Sequence, residues 1–274
     1  MNNLRILRFT PLQRLSHFLL ILSFLIQAAT GLCRMYIETA WGQGLSRLFG
    51  GYDAALEVHK IVGLAMIAGF VFHAAFMLMR VDWKHWKKAL FGPDSIVPRA
   101  SDAAQFFQHI GWFLGMRRAP EFDRWGYWEK FDYWAVFWGM VIIGVTGLLL
   151  AYPIASSKFM PGWGLNVAFW IHRIEALLAI GHVFIIHFFI AHLRRHNFPM
   201  DRTMFEGSAD LHAVHHERPV WIARLNADGR LSRLQVPEAV PIEKGIYYVF
   251  GLTAVAFGLY LVIGAIVNAP RITW

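Results

Sequence analysis

Hydrophobic positions along the chain gather into five long runs, near 14–34, 57–80, 131–153, 166–193 and 244–268, separated by polar connections rich in arginine and glycine. Each run can cross a hydrocarbon core about 30 Å thick, which takes roughly 20 apolar residues in helical form. A backbone in lipid must satisfy its own hydrogen bonds, so runs of this length predict helices. The expected fold class is therefore an all-α integral membrane protein of five spans. Two smaller features stand between them. "AAQFFQHIGWFLGM" alternates aromatic and polar faces and predicts a helix lying in the membrane interface, with Trp83, Trp86, Trp112, Trp125 and Trp128 as an aromatic belt. "NADGRLSRL" resembles a small hairpin.

Composition agrees with the pattern. Of 274 residues 57% are hydrophobic and only 16% charged, against about 25% charged in a soluble domain. The single cysteine, Cys33, excludes an internal disulfide, a Cys-rich metal site and a C-x-x-C-H attachment motif. The first residues read as basic, then apolar, then small, like a signal peptide. Their apolar part is longer than such a leader needs, which predicts an uncleaved first helix.

Charge sets an orientation. Arg5, Arg8 and Arg14 precede the first run, nine Lys or Arg residues lie in 80–130, and seven arginines, Arg195 among them, lie in 194–233. The opposite loops hold little beyond Arg34, Arg47, Lys158 and Arg271. By the positive-inside rule the N-terminus is cytoplasmic and five crossings leave the C-terminus outside. The net charge of +8 is mostly this topology signal. Because the basic residues flank helices and form no patch, no nucleic-acid partner is expected.

Ionisable residues inside membrane helices usually face the bundle interior and mark function. His59 and His73 stand 14 residues apart on the second run, about −40° in azimuth and ~21 Å in height at 100° and 1.5 Å per residue. His172 and His187 stand 15 apart on the fourth, about +60° and ~22 Å. Both runs travel from outside to inside, so His59 and His172 meet near the outer surface, and His73, His187 and His17 near the inner one. Two histidines on facing helices at one height can supply both axial ligands of a haem iron. Two such pairs would mark an electron path across most of the membrane. Lys60 and Arg173 each directly follow an outer histidine, where haem propionates are natural partners and snorkelling to headgroups the alternative. His182 and His192 are expected to hydrogen-bond within the bundle or at its interface, and His212, His215 and His216 to form polar surface.

At these residues the sequence resembles the bacterial di-haem cytochrome b subunits that anchor formate dehydrogenase and [NiFe]-hydrogenase in the membrane. "RLSHFLLILSFLIQAATGL", with its Arg, His and closing Thr-Gly, is similar to that family's first helix, and "VHKIVGLAM" to the start of its second. "KFDYWAVFWGMVIIGVTGLLLAYP" resembles the third, "IHRIEALLAIGHVFIIH" the fourth and "FEGS…HHERPVW" the cytoplasmic tail. The resemblance covers roughly residues 8–225. It implies two non-covalent haems b: an outer one on His59 and His172, and an inner one on His17 and His187. Spacing alone leaves His17 and His73 open for the inner site; the resemblance prefers His17. It also implies quinone chemistry beside the inner haem. Three features depart from the family. The fourth-helix histidines are 15 apart where the family usually has 14, so a local bulge must absorb one residue or a ligand is misassigned. "RWGYWEK" replaces a polar Asn-containing segment before the third helix. A fifth helix is added.

The domain organisation expected is a four-helix di-haem cytochrome b domain over 1–193, a cytoplasmic connecting segment over 194–243, and an extra transmembrane helix with a short periplasmic tail over 244–274. The expected function is electron transfer across the bacterial cytoplasmic membrane, between menaquinone or ubiquinone and a periplasmic-side redox subunit carrying iron–sulfur clusters or multihaem cytochrome c. Quinol oxidation releases protons, which makes Glu129 and Asp132, at the cytoplasmic mouth of the third helix, candidates for the quinone and proton chemistry. Their alternative is an ordinary charge paired with Lys130. The fifth helix carries Gly251, Ala254 and Gly258 on nearly one face, which predicts packing against a partner subunit or a second copy of the chain. Two rivals remain: a quinone-independent haem conduit like a transmembrane ferric reductase, and a membrane anchor or transporter whose histidines only pack.

Overall fold

The computed structural model describes residues 4–194 and 197–272; Arg195 lies outside them. Among the described residues five helices are long and apolar enough to cross a membrane: Pro11–Met35, Tyr52–Met79, Tyr127–Ala151, Gly162–Leu193 and Pro241–Arg271. They are called here the first to fifth spans. Each coincides with a hydrophobic run to within a few residues. Large apolar side chains stand on their outward faces, with Phe72, Trp138 and Val249 all more than half exposed, as lipid in place of water permits.

The chain divides into two units. One comprises Leu15–His73, Phe137–Asp201 and the described part of Gly245–Trp274, and so holds most of every span. Its core joins Ala28, Ala29, Leu32 and Cys33 of the first span to Ile180, Phe184 and Phe188 of the fourth and Val255, Leu261, Val262 and Ala265 of the fifth. A short helix, Ala40–Leu48, follows the first span, capped by the Thr39 hydroxyl on the Gly42 amide at 3.0 Å. The Tyr36 hydroxyl donates to the Ala265 carbonyl at 2.9 Å.

This packing corrects the expectation for the fifth span. Gly251, Ala254 and Gly258 are buried inside the chain's own bundle. A Cβ at Gly258 would stand 2.7 Å from the Phe188 ring and 2.8 Å from the Phe184 ring. Gly258 admits those two rings of the fourth span, and with all three small residues buried this face is unavailable to a partner.

The other unit comprises the described part of Met1–Arg14, Ala74–Val136 and Arg202–Lys244. It is built on a three-stranded antiparallel sheet ordered β2-β1-β3, where β1 is Arg5–Leu7, β2 Ser208–Asp210 and β3 Gln235–Val236. Arg5 pairs with Asp210 on one side and Val236 on the other. Ile6 is buried against Val214, Trp221, Ile222 and Leu225. The "NADGRLSRL" hairpin does not form. Helix Pro219–Ala227 ends there, a turn follows, and helix Leu231–Leu234 leads into β3. The strand that β3 needs comes from the start of the chain, so no local hairpin is required. "AAQFFQHIGWFLGM" lies largely in helix Ala100–Phe113.

Ion pairs knit this second unit together. Glu206 forms ion pairs with Arg5 at 2.7 Å and Arg202 at 3.0 Å, its side chain 1% exposed. Arg224 bridges Asp94 at 2.8 Å and Asp123 at 2.7 Å. Its hydrogen bonds hold the Asp94 carboxyl below the usual carboxylate range. Lys130 is fully buried and turns to Asp102, both of whose oxygens lie 2.9 Å from its ammonium.

Candidate functional site

His59 and His172 face each other in the helical unit, their ring centres 6.3 Å apart and their planes at 74°. Two imidazoles bound to opposite sides of one metal put their centres about 6 Å apart, since each contributes a metal–nitrogen bond of about 2 Å and the ~1 Å from nitrogen to ring centre. The separation of His59 and His172 is compatible with coordination of one shared metal.

Each ring meets a threonine hydroxyl, and His172 has a further hydrogen bond to the Ile143 backbone. His59 Nδ1 lies 2.9 Å from the Thr30 hydroxyl of the first span, and His172 Nδ1 lies 3.1 Å from the Thr146 hydroxyl of the third. Both threonines are buried. A glycine follows each. A Cβ at Gly31 would stand 3.4 Å from His59 Cε1, and one at Gly147 would stand 3.2 Å from His172 Cε1. Each ring thus sets its Cε1 edge over a glycine, with room for ordinary contact at Gly31 and a tighter fit at Gly147. The signal that marks these residues is a repeated Thr-Gly-Leu, at 30–32 and 146–148. Sequence reasoning used the first copy only as a mark of resemblance and missed the second.

The inner histidines form a second group. His17 lies within electrostatic reach of His187 and His192. The ring centres of His187 and His192 are 6.4 Å apart at 87°. His192, expected only to hydrogen-bond, thus joins the group, and its Nδ1 is buried with no hydrogen-bond partner among the described residues. His73 sits half-buried on the second span.

The extra residue between His172 and His187 has a visible cause. The fourth span is α-helical over Gly162–Gly181, then π-helical over His182–His187 and again over Phe189–Leu193. A π-turn closes i→i+5 and holds one residue more than an α-turn. Fifteen residues then sweep what 14 sweep in an α-helix, about −40°, the same azimuth that separates His59 from His73. The bulge alternative is the one the structure contains.

The charged candidates divide. Lys60 Nζ bonds Glu57 at 2.9 Å on its own helix. The Arg173 guanidinium lies over the rings of Phe169 and Trp170, at 5.2 and 5.5 Å. Arg34, read from sequence only as a loop charge, has a different position. Its charge reaches both His59 and His172. Its guanidinium lies over the Tyr52 ring, and its Nη1 is buried with no hydrogen-bond partner among the described residues.

Glu129 lies in the other unit. Its carboxylate accepts from Arg8 at 3.2 Å, from Arg218 at 3.0 Å and from the Gly126 amide at 2.8 Å. Lys130, the neighbour offered as partner for Glu129 or Asp132, serves Asp102 instead. Asp132 is half-buried one turn further on.

These donors fit haem. Among the described residues no group of three or more His, Cys, Asp or Glu side chains converges as a metal site, the minimum that a bare transition-metal ion asks of a protein. Haem iron needs only two protein ligands, because the macrocycle provides the rest. Paired imidazoles, ring edges set over glycine and a buried guanidinium nitrogen within electrostatic reach match an iron with anionic propionates.

Fold and site together define a membrane bundle of the b-type cytochrome class. The chain belongs to the prokaryotic cytochrome b561 family, whose profile matches residues 8–207. It is similar to the cytochrome b556(fdo) subunit of formate dehydrogenase from Escherichia coli K12, at 22% identity over 68% of this chain and 78% of that protein. It is also similar to the formate dehydrogenase cytochrome b556 subunit of Haemophilus influenzae, at 23% identity over 69% of this chain and 72% of that protein. The chain is a multi-pass membrane electron-transfer protein that binds haem b.

Proposed function

We propose that the protein carries two haems b and moves electrons across the cytoplasmic membrane between a quinone and a redox partner subunit. The observation that carries the reading is the facing of His59 and His172 at 6.3 Å, with His17 and His187 within electrostatic reach of each other further along the helices. In this reading His59 and His172 hold the outer haem. His17 and His187 hold the inner one, about 20 Å along the helices, with His192 packed beside His187. Arg34 joins Arg173 as a propionate partner, since its buried nitrogen supplies the hydrogen-bond donor that a carboxylate takes up. Lys60 is the weaker partner, being already bonded to Glu57.

When bound, haem supplies the one-electron chemistry. The chain's part is to hold the iron by neutral imidazoles, keep lipid and water from the rings, and set the potential by ligand and charge. The loops rich in Lys and Arg face the cytoplasm, which puts the His17–His187 end and menaquinone or ubiquinone on that side. The partner then docks at the periplasmic end. The similarity to formate dehydrogenase cytochrome subunits supports a partner with iron–sulfur or multihaem centres. The four-helix domain over 1–193, the connecting segment over 194–243 and the added helix over 244–274 are the organisation proposed with it.

The test is kinetic. Protein reduced chemically in detergent should be reoxidised by a menaquinone or ubiquinone analogue, and a quinone-site inhibitor should block that reoxidation. Reoxidation that ignores the inhibitor while soluble ferric chelates accept electrons freely would favour the quinone-independent conduit.

A further inference from the structure

We propose that Thr30 and Thr146 are matched positioning residues, which hold His59 and His172 as Nδ1–H tautomers and lower the reduction potential of the one haem that both ligate. The inference rests on the ligand assignment proposed above and goes beyond it by saying what sets the state of those ligands.

A threonine hydroxyl has one proton to give and two lone pairs. Thr30 Oγ1 gives its proton to the Ile26 carbonyl, 2.7 Å away, and Thr146 Oγ1 gives its own to the Ile142 carbonyl, also at 2.7 Å. Toward the imidazoles each hydroxyl therefore has only lone pairs to offer. The contacts at 2.9 and 3.1 Å are then hydrogen bonds in which the ring Nδ1–H donates and the hydroxyl accepts. A neutral imidazole with its proton on Nδ1 carries its lone pair on Nε2. That is the state in which Nε2 can bind a metal, and the hydrogen bond fixes both tautomer and ring orientation.

The same bond has an electronic consequence. An acceptor on the far nitrogen makes the imidazole more basic, and a more basic ligand favours the ferric over the ferrous ion. A glycine follows each threonine, and the ring edge that the hydroxyl draws in lies over it, more tightly at Gly147 than at Gly31. The first span serves a histidine of the second, and the third serves a histidine of the fourth, by the same dipeptide with the same i−4 carbonyl bond. The two ligands differ in one respect: His172 has a further hydrogen bond to the Ile143 backbone.

The experiment uses the full chain, purified with its haems, in an optical redox titration with parallel electron paramagnetic resonance. Both variants keep the shape: Thr30→Val removes the acceptor of His59, and Thr146→Val removes the hydroxyl acceptor of His172 and leaves its hydrogen bond to the Ile143 backbone. Each should keep two haems and move the same one of the two midpoints to a more positive value; the double variant should move it further, and Thr30→Ser should restore it. Midpoints that stay put with both haems retained would overturn the inference, as would shifts in different haems or a serine that behaves like valine. If a valine variant sheds haem, Thr30→Ser decides: retention at the wild-type potential supports the role, and loss overturns it. Failure of the underlying assignment looks different. In that case His59→Ala and His172→Ala would not delete the same haem.

Discussion

A carboxylate that receives two guanidiniums and an amide has little left to offer a passing proton. Glu129 is placed this way, between Arg8 and Arg218, whose side chains are 8% and 4% exposed. Through Arg8 and Arg218 it ties the start of the chain to the segment that follows the fourth span. Glu129→Gln keeps the volume but leaves two buried cations facing a neutral group. Breaking a buried ion pair from one side costs about 3 kcal/mol or more, so the variant should unfold at a clearly lower temperature while its folded fraction keeps the wild-type haem spectrum. Unchanged stability with slowed quinol oxidation would instead return Glu129 to proton chemistry. The histidines were legible at this scale because a polar ring in an apolar run needs a reason. Thr30 and Thr146 were not, since a threonine that bonds its own i−4 carbonyl looks in sequence like any helical threonine. Arg34 hid for a related reason: position in a loop and position beside a ligand read alike until the helices are packed.

Among the elements, the spans were legible from length and hydropathy alone, because lipid leaves the backbone few alternatives. The small sheet was not. Its strands are two or three residues long and join segments some 200 residues apart, too little to leave a period in the sequence. The π-helical stretch was half legible, as a spacing one residue too long with two explanations. It gives a test specific to that element. Ile185 lies within the stretch and is 51% exposed, so deleting it removes the extra residue with little loss of packing. The helix should close as an α-helix with His187 on its original face, and haem content should hold. Inserting one alanine after Ile185 should turn His187 by about 100° and remove the inner haem. A deletion that loses the inner haem, beside an insertion that keeps it, would contradict this account of the bulge.

For the molecule as a whole, the account is that one helical bundle holds two haems at two depths, each on its own pair of histidines. Fold class and family were legible, since five runs, their charged flanks and the order of the histidine motifs all point one way. The packing of the fifth span was not: a face of small residues suits a neighbour inside the chain as well as one outside, and only the rings of Phe184 and Phe188 decide it. The most direct measurement of the central claim is haem stoichiometry by the pyridine haemochrome assay, on wild-type protein and on His172→Ala, with protein quantified by amino-acid analysis. The account predicts two haems b per chain in the wild type, both extractable with acidified acetone, and one in the variant, with the inner haem's spectrum unchanged. One haem or none in the wild type, or loss of both from a variant that still folds, would contradict it.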